Sequence, residues 1–293
     1  MLRGAADLLA HDVLAEAHRR LDQVLPGDGS LADRYEAWRT SHLMTPAQLR
    51  EAVPTLAEAF RERTAERFGL PEGEEVTFEL VSDEPWSGFN YYEGDLRSRV
   101  AINTDLPVSS AAIGHLIAHE AYPGHHTEHC RKEVGLVRRR RQLEESIFLV
   151  GTPQCLMAEG LADTALEALL GAEAPTVLAE LLQPLGVTYD PEVTAAVADA
   201  GEALGAVRGN AALILHDRGG TVDDAIDELG RWALLGRERA EKSVAFLTHP
   251  TWRAYIFCYV EGHPRCRRFV AGDPDRFERL LTEQLVPEDL LAA

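Results

Sequence analysis

Residues 119–126, HEAYPGHH, place a helix-breaking pair in the middle of a histidine-rich segment. Apolar residues recur at helical spacing just upstream of it: Ile113, Leu116 and Ile117. This spacing predicts an ordered helix that carries His119 and Glu120. Proline lacks the backbone N–H and clashes with the carbonyl four residues earlier. The sequence therefore predicts a kink or bulge at Pro123-Gly124, directly after that helix.

The histidines of this segment are typical of a metal site. Five of the 11 histidines in the chain lie close together: His115, His119, His125, His126 and His129. A zinc-binding His-Glu-x-x-His pattern needs two imidazoles one helical turn apart, with a carboxylate beside them. Here proline occupies the position of the second histidine, and the next imidazoles belong to His125 and His126. The segment is therefore a variant of that pattern, with His119 and either His125 or His126 as predicted ligands.

A zinc hydrolase needs a third protein ligand and a position for water. The strongest candidate is Glu159, in the segment MAEGLADTALE that follows HEAYPGHH in the chain. Apolar residues surround it in the sequence: Leu156, Met157, Ala158, Leu161 and Ala162. Because an unpaired carboxylate is costly in apolar surroundings, the role of ligand is favoured over that of a surface glutamate.

The composition is ordinary for a globular protein and argues against several kinds of partner. The chain has 293 residues, of which 45% are hydrophobic and 26% charged, which is enough for a large core. A net charge of −19 argues against nucleic acid and anionic membranes as partners. No apolar run reaches the ~18 residues of a membrane span, and the N-terminus lacks the pattern of a signal peptide. Four cysteines lack disulfide or metal spacing, so we expect a cytoplasmic protein with reduced thiols.

The hydrophobic periodicity predicts a mostly α-helical α+β fold with one small sheet. Residues 1–70 form a predicted N-terminal helical segment. Three later segments alternate in the manner of strands: EVTFELVS, FNYYEG and SRVAINT. They predict a small antiparallel sheet packed on a helical body that carries the active helix. Residues 71–293 are the predicted catalytic region, and we expect them to form one compact unit with residues 1–70.

Five motifs occur in an order that resembles the bacterial "domain of unknown function 885" family: R-x-x-V-A-I-N-T, HEAYPGHH, EGLADTALE, LHDRGGTVDDAI and YVEG. The resemblance covers the chain from about residue 75 to the C-terminus. It implies a gluzincin-like zinc metallopeptidase with one zinc ion, and it suggests His216 and Tyr259 as donors to an oxyanion. Where the family has E-G-W-A-L-Y-x-E, this chain lacks the aromatic pair, which bears on substrate preference.

The choice between His125 and His126 depends on the backbone at the break. On an unbroken helix, His126 would share a face with His119 but lie ~10 Å along the axis, compared with ~6 Å for the usual spacing. His125 can serve as ligand only if the backbone bulges at Pro123-Gly124. Gly124-His125 resembles the Gly-His pair of zinc peptidases with an inserted residue, such as dipeptidyl peptidase III. We therefore expect His125 to be the ligand, and His126 to support the site or face the substrate.

These residues together predict a zinc-dependent hydrolase with peptide bonds as its expected substrate. A bound zinc ion would lower the pKa of its water towards ~7, and Glu120 would act as the general base. SRVAINT would form an edge strand to which an extended substrate adds, with Asn103 in the contact. Two alternatives stay open: a hydrolase or tailoring enzyme acting on a small non-peptide amide, and a catalytically inert metal-binding scaffold. The oligomeric state is also open.

Overall fold

Three helices precede the sheet. In the computed structural model, which describes residues 8–84, 86–105 and 107–291, they are α1 (His11–Val24), α2 (Leu31–Ser41) and α3 (Pro46–Phe68). The hydroxyl of Thr45 accepts a hydrogen bond from the Gln48 N–H, and the Gln48 side chain accepts one from the Thr45 N–H. Pro46 then occupies the first turn of α3, where its missing N–H has no cost. These residues fix the N-terminal end of α3.

Three strands follow, as the alternating segments predicted: β1 (Glu75–Val81), β2 (Gly88–Gly94) and β3 (Arg97–Asn103). Their order in the sheet is β1-β3-β2, with β3 parallel to β1 and antiparallel to β2. The sheet is therefore mixed, and the prediction of an antiparallel sheet with SRVAINT at its edge was wrong. Val100, Ala101 and Ile102 of β3 are all buried, and such a continuous apolar run is typical of a strand covered on both faces.

The remaining regular elements of the described chain are helical. They are α4 (Ser110–Glu120), α5 (His125–Lys132), α6 (Pro153–Leu170), α7 (Ala174–Leu182), α8 (Pro191–Gly201), α9 (Val207–His216), α10 (Val222–Trp232), α11 (Arg237–Thr248), α12 (Ile256–Val270) and α13 (Pro274–Thr282). A π-helical stretch (Glu133–Arg139) continues α5. The predicted mostly helical α+β fold is confirmed. Within the described residues, no helix combines the length and the apolar character that crossing a bilayer requires.

Two hydrophobic clusters form the core. The first combines α3, β3, α4, α6 and α12, and its fully buried side chains include Phe60, Ile102, Ile113 and Leu161. The second joins α1 to α8, α9, α10 and α11, through side chains such as Leu14, Leu21, Val207 and Leu229. Helices α1 and α3 thus contribute to different clusters, and α4 and α6 lie in the first one. All four cysteines are buried free thiols.

Candidate metal centre

α4 carries His119 and Glu120 at its C-terminal end. The hydroxyl of Ser109 caps the helix by accepting a hydrogen bond from the Ala111 N–H. The apolar face of α4 is anchored in the core through fully buried Ile113 and Ile117. This packing holds the last turn in place, and His119 and Glu120 are only 7% and 4% exposed. Burying an imidazole or a carboxylate destabilises the fold unless the group is paired or coordinates a metal. This helix end is therefore a candidate binding site.

The chain leaves helical geometry after α4 and starts a new helix at His125. The peptide bond before Pro123 is cis. The Gly124 N–H donates to the Ala118 carbonyl at 2.9 Å, across six residues of chain. A Cβ atom on Gly124 would lie 2.0 Å from the His119 carbonyl oxygen, so only glycine fits this close approach. The predicted interruption is confirmed, and it is a complete break between two helices.

This break brings His119 and His125 together, facing Glu159 of α6. The Nε2 atom of His119 lies 3.3 Å from Oε2 of Glu159, and the Nε2 atom of His125 lies 3.4 Å from Oε1. The two imidazole rings are nearly perpendicular, with centroids 4.7 Å apart. Each of the three residues offers one ligand atom, and these atoms lie within 4.8 Å of one another. The structure therefore groups the same three residues that the sequence suggests as ligands.

The chemistry of this group fits a zinc ion. Two imidazoles and one carboxylate, with one position left for water, form a common ligand set of catalytic zinc sites. Oε2 of Glu159 is buried and has no hydrogen bond within the described chain. Burial alone would raise the pKa of Glu159, but His125 and His119 hold it far below its usual range. Burial would likewise lower the pKa of His125, but Glu159 and Glu128 raise it to about 10. A site that favours a protonated imidazole so strongly also favours a metal cation in place of the proton.

Two further residues hold the predicted ligands in place. Asp163 follows Glu159 by one helical turn, and its Oδ1 lies 3.0 Å from Nδ1 of His119. A carboxylate on Nδ1 leaves Nε2 free for a metal and increases its basicity. The Tyr255 hydroxyl donates to Oε1 of Glu159 at 2.5 Å, which orients that carboxylate. Neither role was predicted from the sequence, although Asp163 lies four residues after Glu159 on α6, and Tyr255, directly before α12, lies four residues before Tyr259.

Asp163 also belongs to a second group that could hold a metal, together with His115 and His119. Oδ1 of Asp163 lies 3.3 Å from Nε2 of His115. His115 is exposed, whereas His119, His125 and Glu159 are all buried. The buried group is therefore the better candidate for a metal site.

Glu120 lies directly beside the candidate ligands. Its Oε2 is buried and has no hydrogen-bond partner in the described part of the chain. Burial raises the pKa of Glu120, although His119 and His125 oppose that shift. The backbone carbonyl of Glu120 accepts a hydrogen bond from the Asn90 side chain at 2.7 Å. Asn90 belongs to β2, so β2 is the strand that passes Glu120.

Tyr259 of α12 also lies at the site, with its ring centroid 6.3 Å from that of His119. Burial, followed by the charge of Glu159, raises the pKa of its phenol, which therefore keeps its proton. α12 comes this near because it packs backbone to backbone on α6. A Cβ atom on Gly160 would lie 2.5 Å from the Gly262 carbonyl oxygen. The close crossing of the two helices positions Tyr259 beside the cluster.

The other two predicted site residues, His216 and Asn103, have partners elsewhere in the fold. Nε2 of His216 lies 2.8 Å from the Leu247 carbonyl oxygen. The buried Asn103 amide donates to the carbonyls of Glu84 and Trp86, at 2.7 Å and 2.8 Å. Asn103 therefore fixes the chain that leads into β2. Within the described residues, neither side chain has a contact that links it to the cluster.

His126 belongs to a separate buried network. Its Nδ1 lies 2.8 Å from Oγ of Ser98, and its Nε2 lies 2.8 Å from Oε2 of Glu74. The Tyr122 hydroxyl donates to the same oxygen of Glu74 at 2.6 Å. Sγ of Cys130 is 3.5 Å from Nε2 of His126, so this thiol also lies in the network. His126 has no exposed surface, and the structure does not place it facing a substrate.

An exposed apolar segment borders the site beyond α5. Residues 143–150 contain five large hydrophobic side chains that are at least 39% exposed: Leu143, Ile147, Phe148, Leu149 and Val150. The Phe148 ring lies 6.0 Å from that of His129, and the His129 ring lies 6.3 Å from that of His125. The rings of Phe148 and His129 therefore connect this apolar patch to His125, one of the candidate ligands.

No protein-family model matches the chain, and no curated protein matches it in sequence. In structure it is similar to the crystal structure of a "putative lipoprotein" from Colwellia psychrerythraea, with a TM-score of 0.67 at 18% sequence identity. The match covers 96% of this chain and 50% of the other, so the chain spans about half the length of that protein. At this identity the similarity shows a shared fold. The resemblance to the "domain of unknown function 885" family stays a prediction.

Proposed function

We propose that this protein is a zinc-dependent hydrolase that cleaves peptide bonds. The observation that carries the proposal is the convergence of His119, His125 and Glu159 beside the unpaired, buried carboxylate of Glu120. A metal-binding scaffold does not require Glu120, because a buried carboxylate without a partner, in addition to the ligand Glu159, would only destabilise the fold. A hydrolase requires such a group as its base. The motif resemblance to gluzincin-like metallopeptidases points to the same reaction.

The ion would be held by His119, His125 and Glu159. When bound, zinc polarises the scissile carbonyl and acidifies water at the site. Asp163 keeps Nε2 of His119 directed at the cluster through its contact with Nδ1. Tyr255 holds the carboxylate of Glu159 in one orientation. The protein thus supplies a donor set that is buried and fixed before substrate binds.

Glu120 would move the proton. It accepts a proton from water as the water oxygen attacks the carbonyl carbon, and it returns a proton to the leaving nitrogen as the C–N bond breaks. Burial raises the pKa of Glu120, which suits a group that must both accept and release a proton. The phenol of Tyr259 would donate a hydrogen bond to the developing oxyanion. It can do so because its raised pKa keeps it protonated.

We propose that an extended substrate lies along β2. This strand is at an edge of the described sheet, and Asn90 connects it to the backbone of Glu120. Unpaired N–H and C=O groups at a sheet edge bind extended peptides by main-chain hydrogen bonds. β3 cannot take this role because both of its edges are paired. The position of β2 therefore favours a peptide over a compact small amide.

The test combines metal analysis with an activity panel. Purified protein would be analysed for zinc and then assayed against short fluorogenic peptides and non-peptide amides, with and without a chelator. We expect peptide cleavage that disappears on chelation, returns with zinc, and is greatly reduced in Glu120→Gln although that variant keeps its metal. Zinc binding without cleavage of any peptide by the wild-type protein would contradict the proposal.

A further inference from the structure

The apolar patch of residues 143–150 contains five of the ten exposed large hydrophobic side chains among the described residues. It lies between the π-helical stretch that continues α5 and the start of α6, so it joins the two elements that carry His125 and Glu159. The Thr152 hydroxyl caps α6 and donates a hydrogen bond to the Leu149 carbonyl at 2.7 Å, which fixes the patch to that helix. Adjacent exposed apolar side chains in a fixed position are typical of a binding surface.

Phe148 is the residue of the patch that reaches towards the candidate metal centre. Its ring lies 6.0 Å from that of His129 and nearly perpendicular to it, at 80°. The His129 ring lies 6.3 Å from that of His125, a candidate ligand. Phe148 is 39% exposed, so part of its ring is open to an apolar group that binds near His125.

One face of β2 covers the same helices. Asn90 and Tyr92 are two residues apart, so their side chains point to one face of the strand. The Asn90 amide donates to the Glu120 carbonyl at 2.7 Å. The Tyr92 ring is stacked on that of His129, with centroids 4.8 Å apart. This face of β2 therefore extends from Glu120 to His129, whose ring also contacts Phe148.

An extended peptide on the edge of β2 would alternate its side chains in the same way as the strand. A residue placed beside Asn90 lies next to the proposed base, and the residue two positions further along lies beside Tyr92 and His129. Two residues of extended chain span about 7 Å, which matches the 6.3 Å between the rings of His125 and His129. We propose that Phe148 and the apolar patch bind a large apolar side chain of the peptide, two residues from the scissile bond. This inference rests on the proposed peptide hydrolysis, and it specifies the substrates as peptides with such a residue at that position.

A substrate side chain explains the patch better than two other occupants. A stable dimer interface takes roughly 20–30 residues from each partner, far more than residues 143–150 supply. The net charge of −19 disfavours an anionic membrane surface. A fully buried side chain touches about 6–12 residues, and the apolar side chains of the patch together with Tyr92 and His129 reach that number.

The experiment measures binding to the zinc-loaded full-length Glu120→Gln protein, in which cleavage is greatly reduced. Two peptides of one sequence would be titrated by calorimetry, one with phenylalanine and one with serine at its central position. We expect the phenylalanine peptide to bind ~10–100-fold more tightly, because its aromatic side chain is removed from water. Equal affinities would overturn the proposal.

Cleavage by the wild-type protein locates the position of this side chain. A single phenylalanine would be moved one residue at a time along a series of peptides, and mass spectrometry of the products would identify the cleaved bond. We expect kcat/KM to be greatest, by ~10–100-fold over the serine peptide, when phenylalanine is two residues from that bond. A maximum at any other position would overturn the proposal.

Phe148→Ser tests the residue itself. In the Glu120→Gln background it should remove most of the preference for the phenylalanine peptide and keep zinc, since Phe148 is not a predicted ligand. Val222→Ser is the matched control, because it also removes an exposed apolar side chain, but from α10 of the second hydrophobic cluster. It should retain the preference. A preference that persists in Phe148→Ser would overturn the proposal, and if that variant does not fold, the two peptide comparisons above still decide it.

The other occupants give distinct results. A wild-type dimer that dissociates in Phe148→Ser, detected by analytical ultracentrifugation, would assign the patch to a second copy of the chain. Binding to phosphatidylcholine vesicles that is lost in the same variant would assign it to a lipid surface. Either result would overturn the proposal. Preference for phenylalanine without cleavage of any peptide would support the apolar site and contradict peptide hydrolysis, whereas cleavage without this preference would contradict the apolar site alone.

Discussion

Replacing His125 and His126 one at a time separates two roles that adjacent residues hold. In the structure, Nε2 of His125 faces Glu159 at 3.4 Å, whereas His126 is bonded to Ser98 and Glu74 at 2.8 Å each. The two side chains leave the first turn of α5 towards different environments. His125→Ala should therefore lose the metal, and His126→Ala should keep the metal but lose stability.

The expected loss of metal affinity follows from the number of ligands. Structural zinc sites with four ligands bind with about 10–16 kcal/mol, so one ligand accounts for roughly 3–4 kcal/mol. Removing the imidazole of His125 should then weaken zinc binding by about 10²–10³-fold. His119 and Glu159 alone would not retain the ion against a chelator. Because the lost group is a ligand, added zinc should raise the melting temperature of His125→Ala little compared with wild type.

The expected loss of stability in His126→Ala follows from its burial and its two hydrogen bonds. His126 has no exposed surface, so truncation leaves a cavity in the core. It also removes a donor from the buried carboxylate of Glu74, which keeps Tyr122 and Arg61 as partners. We expect the free energy of unfolding to fall by about 3–5 kcal/mol. Since each kcal/mol lowers the melting temperature of a large domain by roughly 2–4 °C, the melting temperature should fall by roughly 6–20 °C.

Both variants would be analysed for zinc after dialysis against a chelator and melted with and without zinc. Ser98→Ala is the milder control for the network, since it removes one of the two partners that lie 2.8 Å from His126. It should bind zinc normally and lose about 1 kcal/mol of stability. The reasoning is refuted if His126→Ala loses its zinc while His125→Ala retains it. That result would mean that His126, and not His125, reaches the cluster.

Three further substitutions test the remaining residues. Glu120→Gln should keep zinc and lower kcat by about 10²–10⁴-fold, and near-normal turnover would exclude Glu120 as the base. Asp163→Asn should weaken zinc binding by about 10–100-fold in a chelator competition assay, because the support of His119 Nδ1 is reduced. An unchanged affinity would show that Asp163 does not orient the ligand. Tyr259→Phe should keep zinc and lower kcat by about 10²–10³-fold, whereas unchanged kcat would make Tyr259 a packing residue.

Periodicity predicted the elements of this fold well because each element depends on its own residues. The alternation in EVTFELVS, FNYYEG and SRVAINT corresponds to β1, β2 and β3. The direction and order of the strands were not predictable in the same way. A two-residue period shows which side chains share a face, but it does not show which strand is the neighbour. β3 lies between β1 and β2 and therefore pairs with both strands. Which strand takes the central position depends on the whole sheet and not on the residues of one strand.

The same limit applies to the site. His119, Glu120 and Glu159 were identified from local patterns, since each lies in a motif of fewer than ten residues. The position of His126 depends on Glu74 and Ser98, which are far away in the sequence. No spacing in the chain indicates that these residues meet. A sequence therefore predicts the residues of a contiguous motif better than the distant partners that decide which of two neighbouring histidines joins the candidate cluster.

Two glycines next to candidate ligands allow backbone segments to approach each other closely, and their positions are apparent in the sequence. Gly124 precedes His125, and Gly160 follows Glu159, so a glycine adjoins two of the three candidate ligands. In both places the backbone of another segment lies where a side chain would be: a Cβ atom would be 2.0 Å from the His119 carbonyl oxygen at Gly124, and 2.5 Å from that of Gly262 at Gly160. A larger residue at either position would separate the segments that carry the ligands. The candidate metal centre therefore depends on close backbone contacts as much as on its donor atoms. If it binds zinc as proposed, alanine at either glycine should weaken zinc binding without changing any ligand.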